Sequence, residues 1–474
     1  MELDPEHVFN TVFAFLWIVF VWESYLSYRQ RSLYRTTTTV PKEIEHVLDK
    51  ETFEKARLYQ VDKSLFGFWS GLYSQLETTL ILWYGGLPFV WQKSEHILNY
   101  FGLGAEHEIT QSLVFLMLAL VYSTITGLPW SLYGTFVIEE RHGFNQQTLG
   151  FFFKDTIKKL LVTVAISLPI VTGIIFIIKA GGEYFFIYAS LFTCFISLFL
   201  IFIYADYIAP LFDRFTPLPE GELRTKIEQL ADSIEFPLKK LFVVEGSKRS
   251  THSNAYFYGF HKNKRIVLFD TLLEDYVPTD ERKEAEAKKE DGAGDEDAPE
   301  ETAQEEPEKT EEKSDSVKPA RKKLGCNNEE ILAILGHELG HWKLSHNLKN
   351  LCIGQVNTFL SFMVFGFLMH RQVLYTAFGF NVMPTLIGLL IIFQFIFSPY
   401  NELLSFCMTL LSRRYEFQAD AFAKSLHRAE SLQSALIKLN KDNLGFPVSD
   451  SLYSMWTYSH PPLLERLKAL SKTE

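Results

Sequence analysis

The stretch Ile334-Leu335-Gly336-His337-Glu338-Leu339-Gly340-His341-Trp342 contains a His-Glu-x-x-His motif, and its pattern predicts a helix. Residues four apart on a helix share a face, so His337 and His341 are placed to bind one zinc ion. Glu338 follows directly and is expected to turn toward a water bound to that ion. This arrangement is typical of zinc metallopeptidases. The alternative, a chance match, is tested by whether the rest of the chain supplies the other residues of a zinc site.

A hydrolytic zinc site usually takes three protein ligands and leaves a fourth position for water. The best candidate for the third ligand is Glu416, in the stretch Arg413-Arg414-Tyr415-Glu416-Phe417-Gln418-Ala419-Asp420. Glu416 and Asp420 lie one helical turn apart, which allows Glu416 to bind the metal while Asp420 accepts the free ring N–H of a ligand histidine. Taken alone, Glu416 is better interpreted as an exposed helical glutamate. The Glu-x-x-x-Asp spacing downstream of His-Glu-x-x-His favours the ligand.

The composition allows either a set of soluble domains or a membrane protein. The chain has 474 residues, of which 47% are hydrophobic and 42 are phenylalanines. The distribution of the hydrophobic residues along the chain distinguishes these classes, because apolar runs near the membrane-spanning length of about 20 residues recur. The sequence therefore predicts a predominantly α-helical integral membrane protein.

Seven apolar runs are predicted to span the membrane. They are Val8 to Trp22, Leu65 to Trp91, Ile109 to Ile138, Leu160 to Ile178, Tyr184 to Tyr204, Leu351 to Met369, and Met383 to Leu411. For the first run the alternative is a cleaved signal peptide. The acidic leader Glu2-Leu3-Asp4-Pro5-Glu6 argues against that alternative, as does the lack of a small-residue cleavage site.

Lysine and arginine residues flank these runs asymmetrically. They are frequent after the first, third, fifth and seventh runs, whereas Lys93, Lys179 and Arg371 stand nearly alone after the second, fourth and sixth. Because cytosolic loops carry the excess of basic residues, the N-terminus is expected in the lumen and the C-terminus in the cytosol. Both zinc-motif segments are then expected at the cytosolic face of the membrane.

The spans divide the chain into four parts. Residues 1–208 hold the first five spans with their cytosolic loops, and 209–350 form a soluble metalloprotease region. Residues 351–411 hold the last two spans, and 412–474 form a C-terminal helical part of the metalloprotease domain. Within the soluble region, Leu223 to Ile234 has a helical pattern.

A small β element is also expected in the soluble region. Leu241 to Val244 and Arg265 to Phe269 are typical of strands, and Ser250 to Tyr256 lies between them. An extended segment beside a metal site often binds a peptide as an added strand, which makes Asn254 and Ala255 candidate substrate-binding residues. An ordinary hairpin turn is an equally good interpretation of the spacing alone.

Residues 280–323 form a charged insert that is expected to be disordered. It contains 17 acidic and 10 basic residues and few side chains that could build a core. The formal net charge of the whole chain is −11, so the remainder is only mildly acidic. No concentrated basic surface remains to neutralise phosphates, which argues against nucleic acid as a partner.

The C-terminal stretch Tyr458-Ser459-His460-Pro461-Pro462-Leu463-Leu464-Glu465-Arg466 offers two further candidates. The two prolines after His460 present that side chain rigidly, and the following helix carries Arg466. Either residue is suited to stabilise the oxyanion of a tetrahedral intermediate or to bind a substrate carboxylate. The alternative for His460 is a surface histidine at the start of a helix.

Together these motifs closely resemble those of the type I CaaX prenyl endopeptidases, and most closely those of the animal enzymes that also mature prelamin A. The resemblance covers essentially the whole chain, and no function is carried over to the insert. It rests on His337 to Lys343, Glu416 with Asp420, Ser459 to Pro462 with Glu465-Arg466, Asn254-Ala255-Tyr256, and Ile138-Glu139-Glu140-Arg141-His142-Gly143-Phe144-Asn145.

The resemblance implies a seven-helix barrel in the endoplasmic reticulum and inner nuclear membranes. This barrel would enclose a large water-filled chamber capped by the zinc domain. The implied substrates are farnesylated proteins ending in Cys-aliphatic-aliphatic-any residue, from which the enzyme removes the last three residues. A second cut upstream of the lipidated cysteine is implied for selected precursors such as prelamin A.

The mechanism expected for such a site is metal-assisted hydrolysis. One Zn2+ ion held by His337, His341 and Glu416 is expected to activate a water and polarise the scissile carbonyl. Glu338 is expected to take the proton of that water, and His460 to stabilise the oxyanion.

Two other functions fit parts of the same pattern. A membrane quality-control metallopeptidase would share the zinc residues but would cut without regard to lipid. A non-catalytic membrane scaffold or channel with a structural zinc is opposed by Glu338, because a closed structural site needs no base.

About 75 residues, including two predicted spans, separate His341 from Glu416. We expect the sixth and seventh spans to form a hairpin that returns Glu416 to the motif helix. We also expect the motif helix to continue into the sixth span and the open zinc position to face the interior of the bundle.

Overall fold

The computed structural model describes residues 4–104, 106–259, 263–274, 276 and 325–472. Most of these residues are helical, as the composition predicts. The insert expected at 280–323 lies outside the described residues.

The helices of the described chain range from 6 to 34 residues in length. In chain order they are α1 (Pro5–Thr36), α2 (Lys50–Trp83), α3 (Gly86–Tyr100), α4 (Glu108–Tyr133), α5 (Leu149–Ala180), α6 (Phe185–Ile203), α7 (Glu222–Ser233), α8 (Asn328–Lys343), α9 (His346–Leu368), α10 (Gln372–Ala377), α11 (Thr385–Leu390), α12 (Ser398–Ser425), α13 (Ala429–Asp442), α14 (Ser451–Thr457) and α15 (Leu463–Ser471). π-Helical turns follow α4, α6 and α11 at Gly134–Glu139, Tyr204–Ile208 and Ile391–Ile396.

Five helical segments of the described chain are long and apolar enough to cross a membrane: α1, α4 with its π turn, α5, α6 with the turns around it, and α9. They coincide with the first, third, fourth, fifth and sixth predicted spans. Even α9, with 23 residues, reaches about 35 Å at 1.5 Å per residue, against a hydrocarbon core of about 30 Å. Only 6 to 11% of each apolar segment is buried within the protein, so most residues of these segments are at least partly exposed.

The second predicted span, Leu65 to Trp91, is wrong as a single helix. α2 ends at Trp83, Gly85 adopts the left-handed conformation with a φ of 66°, and α3 begins at Gly86. Glycine reaches this conformation without the steric cost that a Cβ atom brings. Neither α2 nor α3 is among the described helices that combine sufficient length with sufficient apolar character for a span.

The seventh predicted span, Met383 to Leu411, is broken in the structure. α11 and its π turn end at Ile396, and α12 leaves at an angle of 60°. Pro399 lies in the first turn of α12, where it lacks an N–H and its ring excludes the helical position of the carbonyl four residues earlier. Counted as one bent span, this pair brings the candidate spans among the described residues to six, against seven predicted.

A four-stranded sheet lies between α6 and α8, with β1 at Phe215–Pro217, β2 at Leu238–Val244, β3 at Ala255–Tyr258 and β4 at Lys264–Phe269. The strand order is β1-β2-β4-β3, in which β2 and β4 are parallel and the outer pairs are antiparallel. The two strands expected from the sequence lie within β2 and β4. Because these strands are parallel, the segment between them is not a hairpin turn, and that alternative is wrong. The segment instead supplies β3 at the edge of the sheet.

The motif helix α8 packs against β3 on one side and against α12 on the other. Gly340 permits the close approach to α12, because a Cβ atom there would lie 3.1 Å from Cβ of Phe422 and 3.2 Å from Cα of Ala419. Ala419 lies between Glu416 and Asp420 along α12. The two helices are therefore held in contact at the level of the expected metal ligands.

The first turn of α8 is anchored by its own side chains and by α13. The N–H of Glu330 donates to Oδ1 of Asn327 at 3.0 Å, and the N–H of Asn327 donates to the Glu330 carboxylate at 2.9 Å. This capping box satisfies backbone donors that the first turn leaves unpaired. Ser434 and Lys438 of α13 also donate to Glu330, which ties the start of the motif helix to its neighbour.

α8 ends at Lys343 and does not continue into α9. Leu344 and Ser345 form a turn in which Ser345 has a φ of 58°, and α9 begins at His346. The expectation that the motif helix runs into the sixth span is therefore wrong.

Candidate active site

The three metal ligands expected from the sequence converge in space. The Nε2 atoms of His337 and His341 lie 3.2 Å apart, and carboxylate oxygens of Glu416 lie 3.4 Å from the first and 3.3 Å from the second. Among the histidine, cysteine and acidic residues that the structure describes, these three alone form a group able to hold a metal ion. Two helices, α8 and α12, thus supply one ligand set.

The spacing of these atoms fits a tetrahedral zinc ion. Ligand atoms about 2.0 to 2.1 Å from a tetrahedral centre lie roughly 3.3 to 3.4 Å from one another. The two Nε2 atoms lie 3.2 Å apart, and each of the two Glu416 oxygens lies at about this distance from one of them, Oε2 from His337 and Oε1 from His341. In addition, Oε2 of Glu416 is buried and receives no hydrogen bond from the described residues. A bound cation would satisfy this oxygen, so the residues present fit zinc.

A carboxylate orients the first histidine. Nδ1 of His337 lies 2.8 Å from Oδ1 of Asp420, so the ring N–H is placed to donate to that oxygen and leave Nε2 for a metal. Asp420 is held in turn by Arg466, whose Nε and Nη2 donate to its two oxygens at 2.9 and 2.6 Å. The structure therefore brings Asp420 to a ligand histidine, as its spacing from Glu416 predicts.

Glu338 lies on the motif helix but outside the ligand group. Burial raises the pKa of its carboxyl and outweighs the opposing effect of His337 and His341, while the Glu416 carboxylate raises the pKa further. A carboxyl whose pKa moves toward neutral pH is better matched to taking and returning a proton. The surroundings of Glu338 therefore fit a general base.

His460 lies beside the ligand group, in the connection between α14 and α15. Its Nε2 is 3.3 Å from Oε1 of Glu416, and its side chain is 68% exposed. The hydroxyl of Ser459 lies 3.1 Å from its Nδ1. An exposed imidazole next to a ligand carboxylate is available to a peptide bound at the metal.

Arg466 is placed differently from the expectation that it binds substrate. The residue is only 9% exposed, and two of its nitrogens are engaged by Asp420. Its Nη2 also lies 3.3 Å from Nδ1 of His337, and its Nη1 lies 3.7 Å from Oε2 of Glu416. These contacts place the guanidinium to support Asp420 and the ligands, and binding of a substrate carboxylate by Arg466 stays a prediction.

Asn254 and Ala255 lie at the start of the edge strand β3. Within the described parts of the chain, β3 pairs with β4 alone. Ala255 is buried in the core that includes Leu335 and Leu339 of α8, whereas Asn254 is exposed and its Oδ1 accepts from the N–H of Ala255 at 2.8 Å. β3 thus packs against the motif helix, and among the described residues its second edge has no strand partner, which leaves backbone groups for an extended peptide.

Comparison with known proteins identifies the family. One family model, described as CAAX prenyl protease N-terminal, five membrane helices, matches residues 29–214, and another, Peptidase family M48, matches residues 217–474. The chain is 63% identical to the CAAX prenyl protease 1 homolog of Homo sapiens, over 99% of this chain and 96% of that relative. The chain belongs to the CAAX prenyl proteases of peptidase family M48.

More distant relatives agree with this assignment. The CAAX prenyl protease 1 of Saccharomyces cerevisiae is 34% identical, over 95% of this chain and 92% of the relative. The crystal structure of S. mikatae Ste24p matches with a TM-score of 0.81 and 34% identity over 99% of each chain. This CAAX prenyl protease is therefore a multi-pass membrane zinc metalloprotease with a Ste24p-like fold.

The partner of His341 was not predicted from the sequence. Nδ1 of His341 lies 3.0 Å from Nδ1 of His346, and Nε2 of His346 lies 3.0 Å from Oε1 of Gln418. His346 follows His341 by five residues, a spacing that does not bring side chains together on a continuous helix. The one indication in the sequence was that His346 is the third histidine in a short stretch. The turn at Ser345 that brings it to His341 could not be predicted from the sequence.

The π-helical turn after α4 of the CAAX prenyl protease contacts the segment that precedes β3. Tyr59 of α2 donates to the Glu139 carboxylate at 2.8 Å, and the other oxygen of Glu139 lies 3.3 Å from Nε2 of His252. On the opposite side of that ring, Oδ1 of Asn443 lies 3.0 Å from Nδ1. These contacts join the membrane helices to the segment that leads into the edge strand.

Replacing Arg466 with methionine is expected to lower the free energy of unfolding by about 3 to 5 kcal/mol, the range for breaking a buried ion pair. The reason is that Asp420 loses the partner of both its oxygens. The measurement is thermal unfolding of the purified protease in detergent, followed by tryptophan fluorescence. Arg428→Met is the control, since Arg428 pairs with Glu329, whose side chain is 52% exposed, and an exposed pair contributes about 0 to 1 kcal/mol. Equal destabilisation by the two substitutions would contradict the prediction.

Proposed function

We propose that this protease removes the last three residues from farnesylated proteins that end in Cys-aliphatic-aliphatic-any residue. The proposal is carried by the convergence of His337, His341 and Glu416 into one group able to hold a metal ion. The 63% identity to the human CAAX prenyl protease 1 homolog supports the substrate class.

In the proposed mechanism, Glu338 and His460 act on the peptide bond held at the ligand group. Zinc bound by the three ligands supplies an activated water and a positive charge beside the scissile carbonyl. Glu338 takes a proton from the water and later returns it to the leaving amine. His460 donates a hydrogen bond to the oxyanion, while Asp420 and Arg466 keep His337 in the required tautomer and orientation.

The substrate peptide is proposed to lie extended along β3 and to pair with the backbone at Asn254 and Ala255. Two observations support this arrangement. Among the described residues the second edge of β3 has no strand partner, and β3 contacts α8. Pairing through backbone groups depends little on which side chains the peptide carries. It therefore suits an enzyme whose substrates vary in the residues that follow the cysteine.

We propose seven spans around a large chamber, with α2 supplying the second span in addition to the six candidates. At 34 residues, α2 is about 51 Å long and exceeds the roughly 30 Å hydrocarbon core. The Ste24p-like fold supports this arrangement. The open metal position is proposed to face the chamber, so that the farnesyl group stays in apolar surroundings while the peptide reaches the zinc.

The proposed location is the endoplasmic reticulum and inner nuclear membranes, with the N-terminus in the lumen and the zinc site facing the cytosol or nucleoplasm. The alternation of basic and poorly charged loops supports this orientation. We further propose a second cut, upstream of the lipidated cysteine, in precursors such as prelamin A. One metal-ligand group is present among the described residues, so both cuts are expected to use the same zinc site.

A farnesylated CaaX peptide is expected to be cleaved by the purified protease in detergent, and a metal chelator is expected to abolish this cleavage until zinc is restored. An identical peptide without the lipid is expected to react at least about 100-fold more slowly, since burial of only four carbons of the lipid at about 0.8 kcal/mol each contributes about 3 kcal/mol, and each tenfold change in rate requires about 1.4 kcal/mol. Mass spectrometry of both products with time gives the rates. Equal rates for the two peptides would instead support a quality-control peptidase that cuts without regard to lipid.

A further inference from the structure

The turn between α8 and α9 folds two histidines against each other. Ser345 has a φ of 58°, in the left-handed region that non-glycine residues rarely adopt, and the next residue, His346, begins α9. On one continuous helix, His341 and His346 would point about 140° away from each other. The turn instead brings their Nδ1 atoms to 3.0 Å.

The direction of this hydrogen bond follows from the ligand geometry. Nε2 of His341 is the atom that lies in the ligand group, close to Nε2 of His337 and to Glu416. A neutral imidazole has one N–H, so a ring that presents Nε2 to a metal carries its hydrogen on Nδ1. Nδ1 of His341 therefore donates, and Nδ1 of His346 accepts.

The tautomer of His346 follows by the same reasoning. A neutral ring that accepts at Nδ1 carries its hydrogen on Nε2. This Nε2 lies 3.0 Å from Oε1 of Gln418, which is an acceptor. Both hydrogen bonds are thus satisfied by neutral side chains, and together they define one orientation for His341, His346 and Gln418.

The surrounding packing holds His346 in this orientation. The residue is only 1% exposed, and its ring stacks on Tyr415 with centroids 4.0 Å apart and planes 10° apart. Tyr415 and Gln418 flank Glu416 on α12, so the helix that supplies the third ligand also holds His346. On the same helix, Asp420 is the Nδ1 partner of His337. Each ligand histidine therefore has its own buried partner.

We propose that His346 is a positioning residue of the zinc site, which fixes the tautomer and ring orientation of the ligand His341, and that Gln418 fixes the tautomer of His346. This inference rests on the metal site given under the proposed function and adds a residue that acts through His341 without touching metal or substrate. Hydrogen-bond partners of ligand histidines typically change metal affinity by about 10- to 100-fold. A neutral partner also adds no negative charge to the site, whereas a second carboxylate in its place would weaken the pull of the cation on its water.

The test is the zinc affinity of the full-length protein in detergent, measured by competition with a chromogenic chelator and by zinc content after dialysis. His346→Phe keeps a ring against Tyr415 but has no acceptor, whereas His346→Asn loses the ring but keeps an acceptor oxygen near the position of Nδ1. His346→Phe is expected to bind zinc about 10- to 100-fold more weakly than the wild type. His346→Asn is expected to bind zinc more tightly than the phenylalanine variant.

A second pair of variants tests the outer end of the arrangement. Gln418→Glu keeps an oxygen that accepts from Nε2 of His346 and is expected to retain zinc, whereas Gln418→Leu is expected to lose affinity. His370→Phe is the control, because His370 is exposed just beyond the far end of α9 and its replacement is expected to leave zinc affinity unchanged.

The inference is overturned if His346→Phe binds zinc as tightly as the wild type, or if His346→Asn binds it more weakly than His346→Phe, which is the order that a packing role alone requires. Glu416→Ala is measured in the same assay to separate the two proposals. Loss of zinc by Glu416→Ala together with normal affinity of His346→Phe overturns the role of His346 alone. Normal zinc affinity of Glu416→Ala overturns the metal site itself.

Discussion

Glutamine in place of Glu338 is expected to lower kcat for a farnesylated CaaX peptide by about 100- to 10,000-fold, the usual contribution of a general acid–base residue. Glutamine has nearly the same shape as glutamate but does not take a proton from water. Because Glu338 lies outside the ligand group, zinc is expected to remain bound. The measurements are kcat on the peptide and zinc content by elemental analysis of the same sample.

Glu329→Gln is the matched control for this variant. It makes the same chemical change on the same helix, at a residue with a 52% exposed side chain that pairs with Lys226 and Arg428 away from the ligands. Its kcat is expected to equal that of the wild type. Near-normal kcat in Glu338→Gln with full zinc content would rule out Glu338 as the general base.

Alanine in place of Glu416 is expected to remove zinc and, with it, all measurable cleavage. The carboxylate is one of the three proposed ligands, and its oxygens lie 3.3 and 3.4 Å from the Nε2 atoms of His341 and His337. Outer hydrogen-bond partners alone change metal affinity by about 10- to 100-fold, so loss of a ligand is expected to weaken binding by more than about 100-fold. Zinc content after dialysis and the rate of cleavage of the farnesylated peptide are the two measurements.

Glu430→Ala serves as the control for this change. Glu430 is an exposed glutamate in the first turn of α13, and its removal is expected to leave both zinc and activity unaltered. Retention of zinc by Glu416→Ala, with the Glu430→Ala protein as reference, would show that the third ligand has been assigned to the wrong residue.

The pattern of the sequence was sufficient to find the ligand group. His337, His341 and Glu416 were identified because helical periodicity places residues four apart on one face, and because zinc sites take a small set of side chains. Asp420 was identified for the same reason, since its distance along the chain from Glu416 is one turn. These are local relations, and the backbone hydrogen bonds of α8 and α12 are enough to produce them.

Two supporting residues, Arg466 and His346, were harder to predict, because their contacts depend on how separate segments pack together. Arg466 was expected to bind substrate, yet it is buried against Asp420, 46 residues away in sequence. His346 was overlooked because its contact with His341 depends on the left-handed turn at Ser345. A single non-glycine residue adopts that conformation only where the surrounding packing stabilises it. Such packing cannot be predicted from the local sequence.

The membrane helices were likewise predicted only in part. Composition and run length predicted five helices correctly, since an apolar run of sufficient length has no other way to satisfy its backbone in lipid. Run length predicted Leu65 to Trp91 and Met383 to Leu411 as two continuous spans. The structure breaks the first at Gly85 and the second near Pro399. By itself, then, the sequence determined the chemistry of the site and the existence of most helices, because both depend on neighbouring residues. The tertiary structure alone decided which strand lies at the edge and which of Arg466 and His346 contacts which ligand, because those features depend on contacts between separate segments.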